Sequence, residues 1–102
     1  MPDTSPVTSK LTSELELLER HILMLRITKE NQPIGIIRLS ELLGIPKHKV
    51  RYSLRILEDA GLIAATSGGA TVTDGYADFM EHVSEYLDGL TGYIRSMRER
   101  VP

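Results

Sequence analysis

The apolar positions of this chain keep changing their spacing, and each change marks an element. Between about Ser9 and Asn31, Leu11, Leu15, Leu18, Ile22 and Leu25 recur at intervals of four and three, the repeat of one helical face. Leu23, Met24 and Ile27 add a second apolar side, so this helix faces either its own core alone or its core and a further surface. Gln32, Pro33 and Gly35 break the pattern, and Ile36 to Arg38 reads as a short strand. Ser40 then reads as the N-cap of a helix of about two turns, with Glu41 in its first turn and Gly44 as its left-handed stop. Pro46 suits the first turn of another helix, because its φ is fixed near the helical value and its missing N–H is not needed there. That helix starts near Pro46 or Lys47, turns Val50, Leu54 and Leu57 to the core, and has Gly61 as its C-terminal cap. Two short β-prone runs, LIAATSGGATVT, surround Ser67, Gly68 and Gly69 and predict a hairpin. Thr73 or Asp74 is expected to cap a last helix that reaches about Arg98.

In the last helix Tyr76, Met80, Val83, Leu87, Leu90, Ile94 and Met97 follow four-and-three spacing without a break, a seven-residue repeat. A row of Phe79, Tyr86 and Tyr93 widens the stripe, and helix one is expected to fill that width. An apolar face about 30 Å long is a liability in a monomer, so these seven residues are assigned to a homodimer interface. The helix is acidic at first (Asp74, Asp78, Glu81, Glu85) and basic at its end (Arg95, Arg98, Arg100), which favours antiparallel over parallel pairing. Gly89 and Gly92 lower its helix propensity and are read as packing positions.

The chemistry concentrates in the helix that follows Pro46. Opposite its apolar stripe lies an arc of His48, Arg51, Tyr52 and Arg55, flanked by Lys47 and Lys49, with no acid in it. A helix fits the major groove of DNA, where arginine pairs with two acceptors of guanine while lysine clamps phosphates. Arg51 and Arg55, with Tyr52 and His48, are candidate base readers; Lys47, Lys49 and Arg38 are candidate phosphate contacts. The competing reading is an ordinary solvated face in which Arg55 pairs with Asp59 one turn on.

A helix-turn-helix followed by a hairpin changes that balance. The run ELLGIPKHKVRYSLRILEDAGLI, with VTDGY after the hairpin, resembles the winged helix-turn-helix superfamily of prokaryotic transcription factors, in particular small dimeric archaeal regulators of the MarR-like or Sso10a-like kind. The resemblance covers about Leu11 to Met97. It implies a mainly α fold with a small β-hairpin, in which long N- and C-terminal helices form a dimer interface. It also implies a sequence-specific regulator of transcription, a repressor, that binds double-stranded DNA with the helix starting near Lys47. The expected organisation is an N-terminal arm (1–9), a DNA-binding unit (10–73) and a dimerisation helix (74–102). One departure stands out: such wings often carry arginine or lysine at the tip, whereas residues 62 to 73 hold no charge.

Composition sharpens this picture. The net charge is −2 and the isoelectric point about 5.9, too acidic for a sequence-indifferent DNA coat. From Arg38 to Arg55, however, five bases face one acid, a local +4, leaving seven bases against thirteen acids, −6, elsewhere. The acidic remainder and uncharged wing are also what a winged-helix module that docks a protein instead of DNA would show. Zero cysteines exclude disulfides and thiolate metal sites, and no apolar run spans a bilayer, so a cytoplasmic location is expected. His21, His48 and His82 fall on three different elements; Asp78, His82 and Glu85 share a face but read as solvated charges, so no metal or other cofactor is assigned. No nucleophile has a recognisable base, and Gly68-Gly69 is a turn rather than a phosphate cradle, so no enzyme is expected. The aromatic row reads as packing rather than as an effector pocket.

Overall fold

Pro33 divides the chain's first long helix from the rest, because the residue before a proline is driven out of the helical region. In the computed structural model, which describes residues 4–102, Gln32 is extended (φ −63°, ψ 143°) and the first helix, α1, spans Ser9–Asn31. It is followed by α2 (Ile36–Leu43), α3 (Lys47–Asp59), β1 (Ile63–Thr66), β2 (Gly69–Val72) and α4 (Tyr76–Arg98). This order, with α2 and α3 packed on α1 and an antiparallel hairpin behind them, is a winged helix-turn-helix. Of the N-terminal arm, residues 1–3 lie outside the described part. Ser5 and Thr8 are already tied to α1, their carbonyls accepting from the amides of Ser9 (2.9 Å) and Thr12 (3.1 Å).

The strand expected at Ile36–Arg38 does not form. Ile34 alone bridges to the hairpin, exchanging backbone hydrogen bonds with Ala70 at 3.0 and 2.7 Å, and Ile36 already opens α2. The β-branched pair Ile36-Ile37 mimics a strand, but Ile36, Leu39 and Leu43 are spaced three and four and turn one helical face inward. Gly35, not Ser40, is the N-cap of α2. Ser40 sits inside the helix, and its hydroxyl donates to the Ile45 carbonyl across the turn at 2.5 Å. Gly44 ends α2 in the left-handed conformation at φ +68°.

The hairpin pairs Ile63 with Val72, Ala64 with Thr71, Ala65 with Ala70 and Thr66 with Gly69. It is fastened to the end of α1 as well, since Gln32 Oε1 accepts from the Val72 amide at 2.9 Å. Thr73 does not cap α4 from the N-cap position, which Gly75 holds; its hydroxyl instead donates to Gly61 O at 2.6 Å and accepts from Gly75 N at 3.2 Å. Thr73 thereby locks the crossing from wing to helix onto the end of α3.

Met24, Leu25, Ile34, Leu39, Val50, Leu57, Leu62, Ile63 and Ala70 form the buried core. On α1 the core is met by Met24, Leu25 and Thr28, while Leu15, Leu18 and Ile22 stay half-buried and Leu11 is exposed. The stripe on α4 divides in the same way. Tyr76 and Met80 pack on the core with Phe79, and Val83 is buried, whereas Leu87, Ile94 and Met97 remain in the open. All residues from Thr91 onward are exposed, and the molecule measures 55 × 29 × 20 Å. No helix of the described residues is long and apolar enough to cross a membrane.

Candidate nucleic-acid interface

The turn between α2 and α3 sets how α3 is presented. Pro46 is its N-cap, with φ −62° and ψ 149°, and the Pro46 carbonyl accepts from the amides of Lys49 (3.1 Å) and Val50 (3.2 Å). No side chain caps this end and no acid sits in the first turn. The positive end of the helix dipole is therefore left beside Lys47 and Lys49, a setting that attracts anions. At the far end Gly61, at φ +76°, donates to Glu58 O, and Leu62 donates to Leu57 O, so the helix stops cleanly before β1.

The inward face of α3 is Val50, Ser53 and Leu57, all buried, with Leu54 half-buried against the core. The outward face carries His48, Arg51, Tyr52 and Arg55, which together line one shallow concavity of about 240 Å³. All four are exposed, as are Lys47 and Lys49. Among the described residues the ion pairs are Arg26 with Glu30 (3.9 Å) and Arg38 with Glu41 (3.4 Å), so Arg55 is not held by Asp59. Toward the wing, Arg51 and Arg55 also border a groove with Ile36, Leu54, Ala65 and Ala70, and there Glu58 is the one acid in the wall. Arg38 lies within α2 rather than before it, and its guanidinium is shared with Glu41; both side chains are about 60% exposed, so solvent keeps that pair weak.

The wing is narrow and uncharged. Thr66 Oγ1 donates to Gly69 O at 2.6 Å and accepts from Gly68 N at 3.2 Å, closing the tip on itself. It offers backbone and small side chains but no cation.

Sequence reasoning missed a contact behind α3. Ser53 is fully buried, and its hydroxyl lies 3.1 Å from His21 Nε2 and accepts from Arg20 Nη1 at 3.5 Å. Burial, and then the neighbouring Arg20 charge, lower the pKa of His21 below its usual 6.5. The one signal for this was Ser53's place between Val50 and Leu57 on the inward stripe. Among the described residues no group of three His, Cys, Asp or Glu is placed to hold a metal ion.

No known family profile matches the chain. It is similar to the HTH-type transcriptional regulator NmtR of Mycobacterium tuberculosis, at 26% identity over 88 residues, which cover 85% of this chain and 72% of that protein. The likeness is distant, and it accords with the order of helices and hairpin described above.

Proposed function

We propose that the protein is a sequence-specific DNA-binding regulator of transcription, a homodimer that lays α3 in the major groove and represses by occupying its operator. The observation that carries this reading is the outer face of α3, where His48, Arg51, Tyr52 and Arg55 share one exposed concavity and neither arginine is taken up by an acid among the described residues. A 13-residue helix is about 20 Å long and fits a groove roughly 12 Å wide. Arg51 and Arg55 are assigned to base edges, with Tyr52 and His48 beside them, and Lys47, Lys49 and Arg38 to phosphates. The name of the mycobacterial relative supports the same activity.

In this reading residues 10–73 bind DNA and 74–102 form the dimerisation helix, as in regulators of the MarR-like or Sso10a-like kind, and the protein works in the cytoplasm. Two copies of α3 related by a two-fold axis read a palindromic site with half-sites one or more helical turns apart. Occupying such a site is all that repression requires. The uncharged wing favours a second reading, a winged-helix module that docks a protein partner.

A fluorescence-anisotropy titration with a randomised duplex pool at two salt concentrations separates the two. The DNA reading expects binding that weakens steeply with salt and is lost when Lys47, Arg51 and Arg55 are all changed to Ala. No binding even at low salt overturns it in favour of the protein partner.

A further inference from the structure

Arg51 and Arg55 stand about one turn apart on the outer face of α3, roughly 6 Å along its axis. Both line the concavity shared with His48 and Tyr52, and both also border the groove between α3 and the wing. Neither is paired with an acid among the described residues, so both guanidinium forks are free. No other side chain of that face carries such a fork: Lys47 and Lys49 are point charges, and Tyr52 and His48 offer single hydrogen bonds that several base atoms can satisfy. What is missing matters as much. From Pro33 to Val72, a stretch that includes α2, α3 and the wing, the chain has no asparagine and no glutamine, the two side chains that pair with adenine through both N6 and N7.

We propose that the DNA read by α3 is centred on two guanines, one taken by Arg51 and one by Arg55, lying no more than two base pairs apart. This rests on the DNA-binding reading above and states which bases it selects. Guanine offers two acceptors, O6 and N7, side by side in the major groove, and a guanidinium meets both at once. The spacing follows from the helix. Successive base pairs are stacked about 3.4 Å apart, so a step of about 6 Å along α3 reaches the next pair or the one after it, and not a third.

The wing narrows the reading further. A cation inserted into the minor groove favours the narrow, electronegative groove of A·T tracts. Residues 62 to 73 carry no charge, and the tip is closed on itself by Thr66, whose hydroxyl donates to Gly69 O at 2.6 Å and accepts from Gly68 N at 3.2 Å. The selected sites therefore carry a guanine pair under α3 and need no A·T run beside it.

Selection from a randomised duplex pool with the full chain tests this. The bound sequences are expected to share two guanines, on either strand and no more than two base pairs apart, with no enrichment of A·T outside them. Replacing either guanine by 7-deazaguanine removes N7 while leaving the Watson–Crick edge intact, and is expected to weaken binding about tenfold. Arg51→Ala is expected to be indifferent to that replacement at one guanine and Arg55→Ala at the other. Both side chains are exposed, so neither variant disturbs the core. A phosphate clamp would not tie one residue to one base in this way. Shared positions that are A·T, guanines farther apart, an A·T run in the flanks, full affinity for the deazaguanine duplexes, or variants still sensitive at both guanines overturn the proposal and leave the DNA reading standing. Failure to bind any duplex at low salt overturns the DNA reading itself.

Discussion

The imidazole of His21 on α1 lies 3.1 Å from the hydroxyl of Ser53, which is fully buried in the middle of α3. This contact fixes the back of the helix whose front carries the basic arc, so α3 is held by a polar bond as well as by Val50 and Leu57. Ser53→Ala removes the hydrogen-bond partner of both His21 and Arg20 and is expected to lower stability by about 1 kcal/mol. The other fully buried hydroxyl gives the opposite result. Thr28 Oγ1 has no hydrogen-bond partner among the described residues, so Thr28→Val keeps its shape, removes an unsatisfied group and is expected to gain about 1 kcal/mol. Urea denaturation of both variants checks the contrast; equal effects would contradict it.

The burial of His21 also makes stability depend on pH. His21 is held neutral by burial and then by Arg20, so its folded pKa lies below the 6.5 of the unfolded chain. The unfolded state therefore binds the proton more readily, and stability present above pH 6.5 is lost as pH falls through and below that value. His21→Gln, which keeps a polar group without a titrating one, is expected to flatten the fall in melting temperature between pH 7.5 and 5.5. An unchanged slope would mean that other groups govern it.

The elements that sequence reveals most clearly are those fixed by residues with special backbones. Gly44 and Gly61 occupy the left-handed region and Pro46 holds φ at −62°, so the limits of α3 follow from composition alone. The start of α2 is less visible, because Ile36-Ile37 favours extended chain locally and helix only once Ile36 and Leu39 meet the core. Ser40 misleads for a related reason: its hydroxyl serves the Ile45 carbonyl across the turn, not an amide in its own first turn. The basic arc is legible since it depends only on helical phase. The support behind it is not, since His21 and Ser53 are 32 residues apart in sequence. Periodicity likewise marks a single face on α4 without saying that Tyr76 and Met80 are covered by their own domain while Ile94 and Met97 are left open.

Two glycines of the same chain are expected to respond oppositely to alanine. Gly69 sits at φ +127°, and a Cβ there would lie 2.6 Å from the carbonyl carbon and oxygen of Ile34, whose backbone has no room to retreat while it pairs with Ala70. Gly69→Ala is expected to cost about 1–3 kcal/mol and to loosen the wing. Gly89 lies in the exposed half of α4 with nothing within 4 Å of a Cβ, so Gly89→Ala is expected to gain up to about 1 kcal/mol from helix propensity. Thermal unfolding of the two variants decides the point, and a gain at Gly69 would refute the close approach.

The division of labour proposed for α3 predicts two distinguishable losses of DNA binding. Arg55 lies within the concavity of the outer face with His48, Arg51 and Tyr52, whereas Lys47 stands at the uncapped N-terminus beside the positive end of the dipole. Arg55→Ala is expected to weaken binding to the preferred duplex by about 1–3 kcal/mol while leaving unrelated duplexes nearly unaffected. Lys47→Ala is expected to weaken every duplex alike and to reduce the slope of log affinity against log salt by about one. Titrations on a selected and a scrambled duplex at several salt concentrations separate these outcomes. Equal losses for both variants on every duplex would show that Arg55, too, is a phosphate clamp, and that base reading rests with Arg51, Tyr52 and His48.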